Sequence, residues 1–159
     1  MFYNHKNTGR PLQNGKWFEK FRSNYLDVDN DALYPFGYGL SYTTFQYGDI
    51  VLNTPTMKQN ETITATIQVT NSGKYDGAEV VQLYIRDLVG SITRPVRELK
   101  GFKKIFLKAG ESKTVSFKIT ADLLRFYDYD LNQVTEPGEF DIFIGGSSQA
   151  TKTARLTLK

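Results

Sequence analysis

Residues 62–70 read Thr-Ile-Thr-Ala-Thr-Ile-Gln-Val-Thr, and this stretch decides the fold. Ile63, Ala65, Ile67 and Val69 alternate with Thr62, Thr64, Thr66, Gln68 and Thr70. A period of two places one set of side chains in a core and the other in water, which is a half-buried β-strand. On its C-terminal side, Asn71-Ser72-Gly73 and Asp76-Gly77 mark a loop. Residues 79–86 follow, with Val81, Leu83 and Ile85 on one face and Val80, Gln82 and Tyr84 on the other. Two partly apolar faces predict a central strand, or one whose outer side has a partner.

The same reading extends in both directions. Residues 87–96 are a loop holding Gly90 and Pro95, and 97–107 is strand-like, with Gly101 marking a bulge. Lys108-Ala109-Gly110-Glu111 reads as a four-residue hairpin loop returning into a strand over 113–119. A helical turn is expected over 121–127, capped by Thr120 or Asp122, followed by a long turn over 128–137. Residues 139–145 and 154–158 alternate again around a Gly145-Gly146-Ser147-Ser148 turn. Upstream, 45–53 reads as the first strand, ended by Thr54-Pro55. Seven strands over about 115 residues, spaced by turn signals, predict an all-β, immunoglobulin-like sandwich. The chain has no cysteine, so the antibody-type disulfide core is excluded and the fibronectin type III-like version is favoured.

Ahead of the sandwich, residues 33–45 read LYPFGYGLSYTTF. Pro35 forbids a helix interior, and Gly37 and Gly39 permit backbone angles that other residues avoid. The aromatic density is too high for a solvated linker, so an ordered irregular segment packed on something is expected. Residues 1–32 show no sustained period. The division is therefore a connecting arm over 1–44, trailing from a preceding domain, and a sandwich over 45–159.

Chemistry is sparse. The net charge of +3 comes from 20 basic and 17 acidic residues spread along the chain, with no phosphate-tracking stripe to suggest nucleic acid. No apolar run has the length of a membrane span, so no membrane partner is expected. His5 is the one histidine, so a multi-histidine metal site is impossible, and it has no nucleophile elbow beside it for a triad. Asp27, Asp29 and Asp31 alternate as calcium-loop ligands do, but an EF-hand would need glycine and glutamate where Ala32 and Tyr38 stand. Asp128 and Asp130 read as a solvated turn. The chain offers carboxylates but no pair singled out for glycoside chemistry. Gly37 and Gly39 lack the strand-to-helix context of a phosphate loop, and Asn60-Glu61-Thr62 is a glycosylation acceptor pattern by sequence alone. No catalytic, metal-binding or cofactor-binding residue is assigned, and no cofactor is expected. Trp17, Tyr25, Tyr34 and Tyr38 are candidates for stacking on sugar rings, but packing against a neighbouring domain is the preferred reading because they sit in irregular sequence.

Four blocks then carry a resemblance. YPFGYGLSYTTF at 34–45, TNSGKYDGAEVVQLYI at 70–85, RPVRELKGFKKIFLKAGESKTVSF at 94–117 and EPGEFDIFIGGSS at 136–148 resemble, in order, the C-terminal fibronectin type III-like domain of glycoside hydrolase family 3 enzymes. YNHKNTGRP at 3–11 is similar to the end of the α/β-sandwich domain that precedes it, and the blocks look most like those of bacterial periplasmic β-glucosidases. The resemblance implies a non-catalytic accessory piece of a parent enzyme that hydrolyses terminal β-glycosides, with nucleophile and acid/base on earlier domains. It also implies a periplasmic or extracellular location. The expected partners are the catalytic domains of the same chain. Tyr34, Phe36, Tyr38, Tyr42, Arg94 and Arg97 are the candidate interdomain contacts, the arginines pairing with a neighbour's carboxylates. Without that neighbour the arm is expected to drive self-association. An independent carbohydrate-binding module is the alternative.

Overall fold

The structure is a computed structural model and describes residues 32–159. Its strands, in chain order, are β1 (Phe45–Tyr47), β2 (Val51–Leu52), β3 (Thr56–Met57), β4 (Thr62–Asn71), β5 (Gly77–Asp87), β6 (Glu98–Leu107) and β7 (Ser112–Thr120). The short helix α1 (Ala121–Leu124) precedes β8 (Phe126–Tyr127), β9 (Gln133–Val134), β10 (Gly138–Gly145) and β11 (Thr153–Leu158). Two sheets face each other. In one, β4 pairs with β1, β2 and β7; in the other the order is β3-β11-β10-β5-β6. This is the expected all-β sandwich.

The decisive strand behaves as its alternation dictates. Ile63, Ala65, Ile67 and Val69 are buried against Val81, Leu83 and Ile85 of the facing sheet. β5 is central, between β10 and β6. The bulge is present: the β5–β6 register steps from Leu83↔Gly101 to Tyr84↔Leu99, leaving Lys100 as the extra residue beside Gly101. Thr120 caps α1, its hydroxyl accepting from the Leu123 N–H at 3.3 Å.

Three local expectations are corrected. The first strand is two pieces. β1 and β2 both run antiparallel to β4, but the register slips by one residue between Tyr47↔Val69 and Val51↔Thr66, so Gly48–Ile50 bulges at this edge. Next, Lys108–Glu111 is not a hairpin loop. β6 and β7 lie in different sheets, and the turn carries the chain across the end of the sandwich. Asn71 holds it there, its N–H donating to Glu111 O and its carbonyl accepting from Gly110 N, both at 2.9 Å. Lastly, the helical turn expected over 121–127 ends at Leu124; Phe126–Tyr127 form β8 instead, pairing with β9 inside the expected long turn, with Leu131 at φ 63 in the connection. The two-residue β3, parallel to β11, has no periodic signal at its length.

Candidate interdomain surface

The arm leads onto the outer face of the five-stranded sheet. A turn forms first: Tyr38 N–H donates to Pro35 O at 3.0 Å, with Gly37 at φ 78 in its third position. That left-handed angle suits glycine, and a Cβ there would also stand 2.0 Å from Gln82 Oε1. The turn exposes the carbonyls of Phe36 and Gly37 to the sheet. Ser148 N–H donates to Phe36 O at 2.8 Å, and Gln82 Nε2 donates to Gly37 O at 3.0 Å and to Gly146 O at 2.7 Å. The Tyr84 hydroxyl donates to Gln82 Oε1 at 2.5 Å. Gln82 and Tyr84 are the outward residues of β5, and both are buried because the arm and the β10–β11 turn cover them. Burial of an amide and a phenol is tolerable only with their polar atoms partnered, and here they are.

The far end of the arm is fixed at Asn71. Thr43 Oγ1 donates to Asn71 Oδ1 at 2.6 Å, and Gly73 N–H donates to the same oxygen at 3.1 Å. Asn71 Nδ2 donates to Tyr75 O at 2.8 Å and Leu107 O at 3.1 Å. Asn71 is fully buried and its side chain fully used. Thr43 fits because Gly73 has no Cβ; one there would meet Thr43 Oγ1 at 2.2 Å.

Along the arm the aromatic side chains stay partly or almost wholly exposed, with Phe36 and Tyr38 lining clefts against the sheet. Tyr42 is 97 % exposed and Tyr34 66 %, while Phe36 and Tyr38 are also exposed. Tyr34 and Tyr38 lean on each other with ring centroids 5.3 Å apart. Four of the six candidate contacts therefore share one latched, exposed strip.

Arg94 and Arg97 are engaged within the domain. Arg97 stacks over Phe143, its guanidinium carbon 3.9 Å from the ring centroid, and Nη1 donates to Ser148 O at 2.5 Å and Ala150 O at 2.8 Å. Burial, and then Arg86 nearby, lower its pKa. Arg94 bonds Glu98 at 2.7 Å, lies 4.0 Å from Asp87 and sits over Phe126. Asp87 is held above the usual carboxylate range by burial, with Arg94 only partly opposing. Arg97 braces the β10–β11 turn that holds the arm, and Arg94 holds the loop after β5.

A smaller cleft of about 320 Å³ opens between Tyr38, Glu79 and the β10–β11 turn. In it Tyr47 Oη donates to Glu79 Oε1 at 2.7 Å, tying the two sheets together. Burial raises Glu79 above the ordinary carboxylate range, and burial followed by Glu79 raises Tyr47. His5, Trp17, Tyr25, Asp27, Asp29 and Asp31 lie outside the described residues. Among the described residues no group of three His, Cys, Asp or Glu side chains could hold a metal ion. Asp128 closes its own turn by accepting from Asn132 N–H at 2.8 Å. Sequence reading missed Gln82, Tyr84 and Asn71 as the residues that place the strip. The one available signal was the doubly apolar character of β5.

Two facing sheets with β5 central and a latched N-terminal arm define a fibronectin type III-like sandwich, and residues 79–148 match the family model described as a fibronectin type III-like domain. The chain is 48 % identical to a periplasmic beta-glucosidase of Salmonella typhimurium over 99 % of its length and 20 % of the relative. It is 49 % identical to a beta-xylosidase of Formosa agariphila over 87 % of its length and 19 % of the relative. A beta-glucosidase from Listeria innocua superposes with a TM-score of 0.87 at 39 % identity, covering 99 % of this chain and 22 % of that one. The chain thus belongs with the fibronectin type III-like domains of glycoside hydrolase family 3 β-glucosidases and β-xylosidases. It spans about one fifth of the length of the curated relatives it matches.

Proposed function

We propose that this chain is a non-catalytic accessory domain that supports the catalytic domains of a family 3 β-glucosidase by packing against them. The parent, on this reading, hydrolyses terminal β-glycosides in the periplasm, as the name of the Salmonella relative suggests. One observation carries the proposal. The arm's backbone is latched at Phe36, Gly37 and Thr43 while its aromatic rings, Tyr34 and Tyr42 above all, keep much of their surface exposed. A strip that only closed its own core would turn those rings inward, where each would gain about 1.5–3 kcal/mol from burial.

Tyr34, Phe36, Tyr38 and Tyr42 are the contacts; Arg97 serves indirectly by bracing the β10–β11 turn, and Arg94 holds the loop after β5. The test compares this chain with the longer parent on an aryl β-glucoside. The parent hydrolyses it and this chain does not. A Tyr42→Ser parent loses thermal stability while this chain with the same change does not. Hydrolysis by the 159-residue chain, or tight glycan binding to it in calorimetry, would overturn the accessory role.

A further inference from the structure

The two outward faces of the sandwich differ in kind. Outward positions of β4 and β7 hold Thr64, Thr66, Gln68, Ser116 and Lys118, as a water-facing sheet should. The outward positions of β5 and β6 hold Ala78, Val80, Phe102, Lys104 and Phe106. The register sets them side by side: Ala78↔Phe106, Val80↔Lys104 and Gln82↔Phe102. Among the described residues, the arm's hydrogen bonds to this face are made at Gln82 and Tyr84. Beyond it Phe102 is 67 % exposed and Phe106 60 %, and Val80 is also exposed. A groove of about 430 Å³ runs from this face under Phe36–Ser41, so the apolar surface is continuous with the aromatic strip.

We infer that this outer face of β5 and β6 is a second docking surface, occupied by the remaining part of the same parent polypeptide through an apolar patch that carries a carboxylate. The inference rests on the accessory reading above and adds a surface to it. Three features choose the occupant. The face continues the strip already assigned to that contact. Relatives of this chain are about five times its length, so polypeptide is available to cover it. Lys104 lies between the two phenylalanines on the outward row; covering both rings buries its stem and requires an acidic partner for the ammonium group.

Cysteine labelling tests this, and the chain has no cysteine of its own to interfere. Phe102→Cys, Phe106→Cys, Tyr42→Cys and Gln68→Cys are made singly in the 159-residue chain and in the longer parent, and labelling at each site is followed by mass spectrometry. Positions 102 and 106 should react about tenfold or more slowly in the parent than in this chain, as a docked state favoured by an order of magnitude requires. Gln68→Cys, on the polar face, should react equally in both. Protection at 42 without protection at 102 and 106 would overturn this inference and leave the accessory reading standing. Loss of protection at all three would overturn both. Equal protection at 102 in the two chains, with this chain sedimenting as a dimer, would show a self-association face and overturn the inference.

Discussion

Replacing Asn71 with alanine should be among the most damaging single changes in this domain. The side chain is fully buried and makes four hydrogen bonds: to the Thr43 hydroxyl, the Gly73 N–H, and the carbonyls of Tyr75 and Leu107. Each is worth about 1 kcal/mol net, and partners left unpaired out of water cost about 1–3 kcal/mol each. Thr43 can rotate its hydroxyl, and Tyr75 lies in an exposed segment, so those two recover part of the loss in water. The Leu107 carbonyl and Gly73 N–H recover less. The expected destabilisation is about 3–4 kcal/mol, or a Tm lower by roughly 10–20 °C for a domain of this size. Urea unfolding of the 159-residue chain followed by far-ultraviolet circular dichroism measures it. Thr43→Val isolates the arm's share. It should cost about 1 kcal/mol in the native background and close to nothing in Asn71→Ala, because the partner is already gone. A loss below about 1 kcal/mol for Asn71→Ala, or equal Thr43→Val costs in both backgrounds, would refute the assignment of Asn71 as the anchor joining arm, β4 and the β6–β7 turn.

Three further outcomes follow from the same geometry. Gly37→Ala forces a Cβ into a left-handed turn and against Gln82 Oε1, so it should cost about 1–3 kcal/mol in urea unfolding and speed chymotrypsin cleavage within 34–42. Gln82→Ala leaves the Gly37 and Gly146 carbonyls without that donor; the arm should be cleaved faster while β4 amides keep their hydrogen-exchange protection, and unchanged cleavage would count against the latch. Glu79 has its folded pKa raised above the ordinary 4.5, by burial first, with the Tyr47 bond opposing. The native state then holds more protons than the unfolded one in the window above 4.5, so this group's contribution to stability falls as pH rises through that window. Glu79→Gln should flatten that decline, which denaturation midpoints across the window would read.

The sandwich was legible because its strands advertise themselves. Ile63 to Val69 alternates without a break, and Gly, Asn and Asp punctuate each strand end. Where the reading failed, the missing information was long-range. Lys108–Glu111 has the local chemistry of a hairpin, and only the pairing of β7 with β4 shows that the chain changes sheets there. The slip at Gly48–Ile50 likewise depends on what β4 offers across the ladder. The arm's aromatics were visible as a strip, but not the residues that place them. Asn71 looks like a turn residue, and Gln82 like any polar residue of a strand. Their roles come from partners 28 and 45 positions away. Arg97 was expected to reach a neighbour; its partners inside the chain are carbonyls 51 and 53 residues downstream, which no pattern announces.

The way the arm is attached bears on what the domain is for. Hydrogen bonds to its backbone fix Phe36, Gly37 and Thr43 at separate points, and they ask little of the intervening side chains. The attachment thus leaves the rings available without leaving the strip loose. A flexible strip would lose roughly 1–2 kcal/mol per residue in backbone entropy on docking, whereas a latched one has already lost it on folding. The same logic explains the two sheet faces. Threonine and serine suit a face meant to stay in water, and Phe102 and Phe106 on an exposed edge strand would invite aggregation if nothing covered them. Lys104 between them keeps the uncovered face soluble yet pairs readily with an acidic neighbour. A preorganised aromatic strip joined to an apolar face with a lysine in it is what the proposed packing against a neighbouring domain would use.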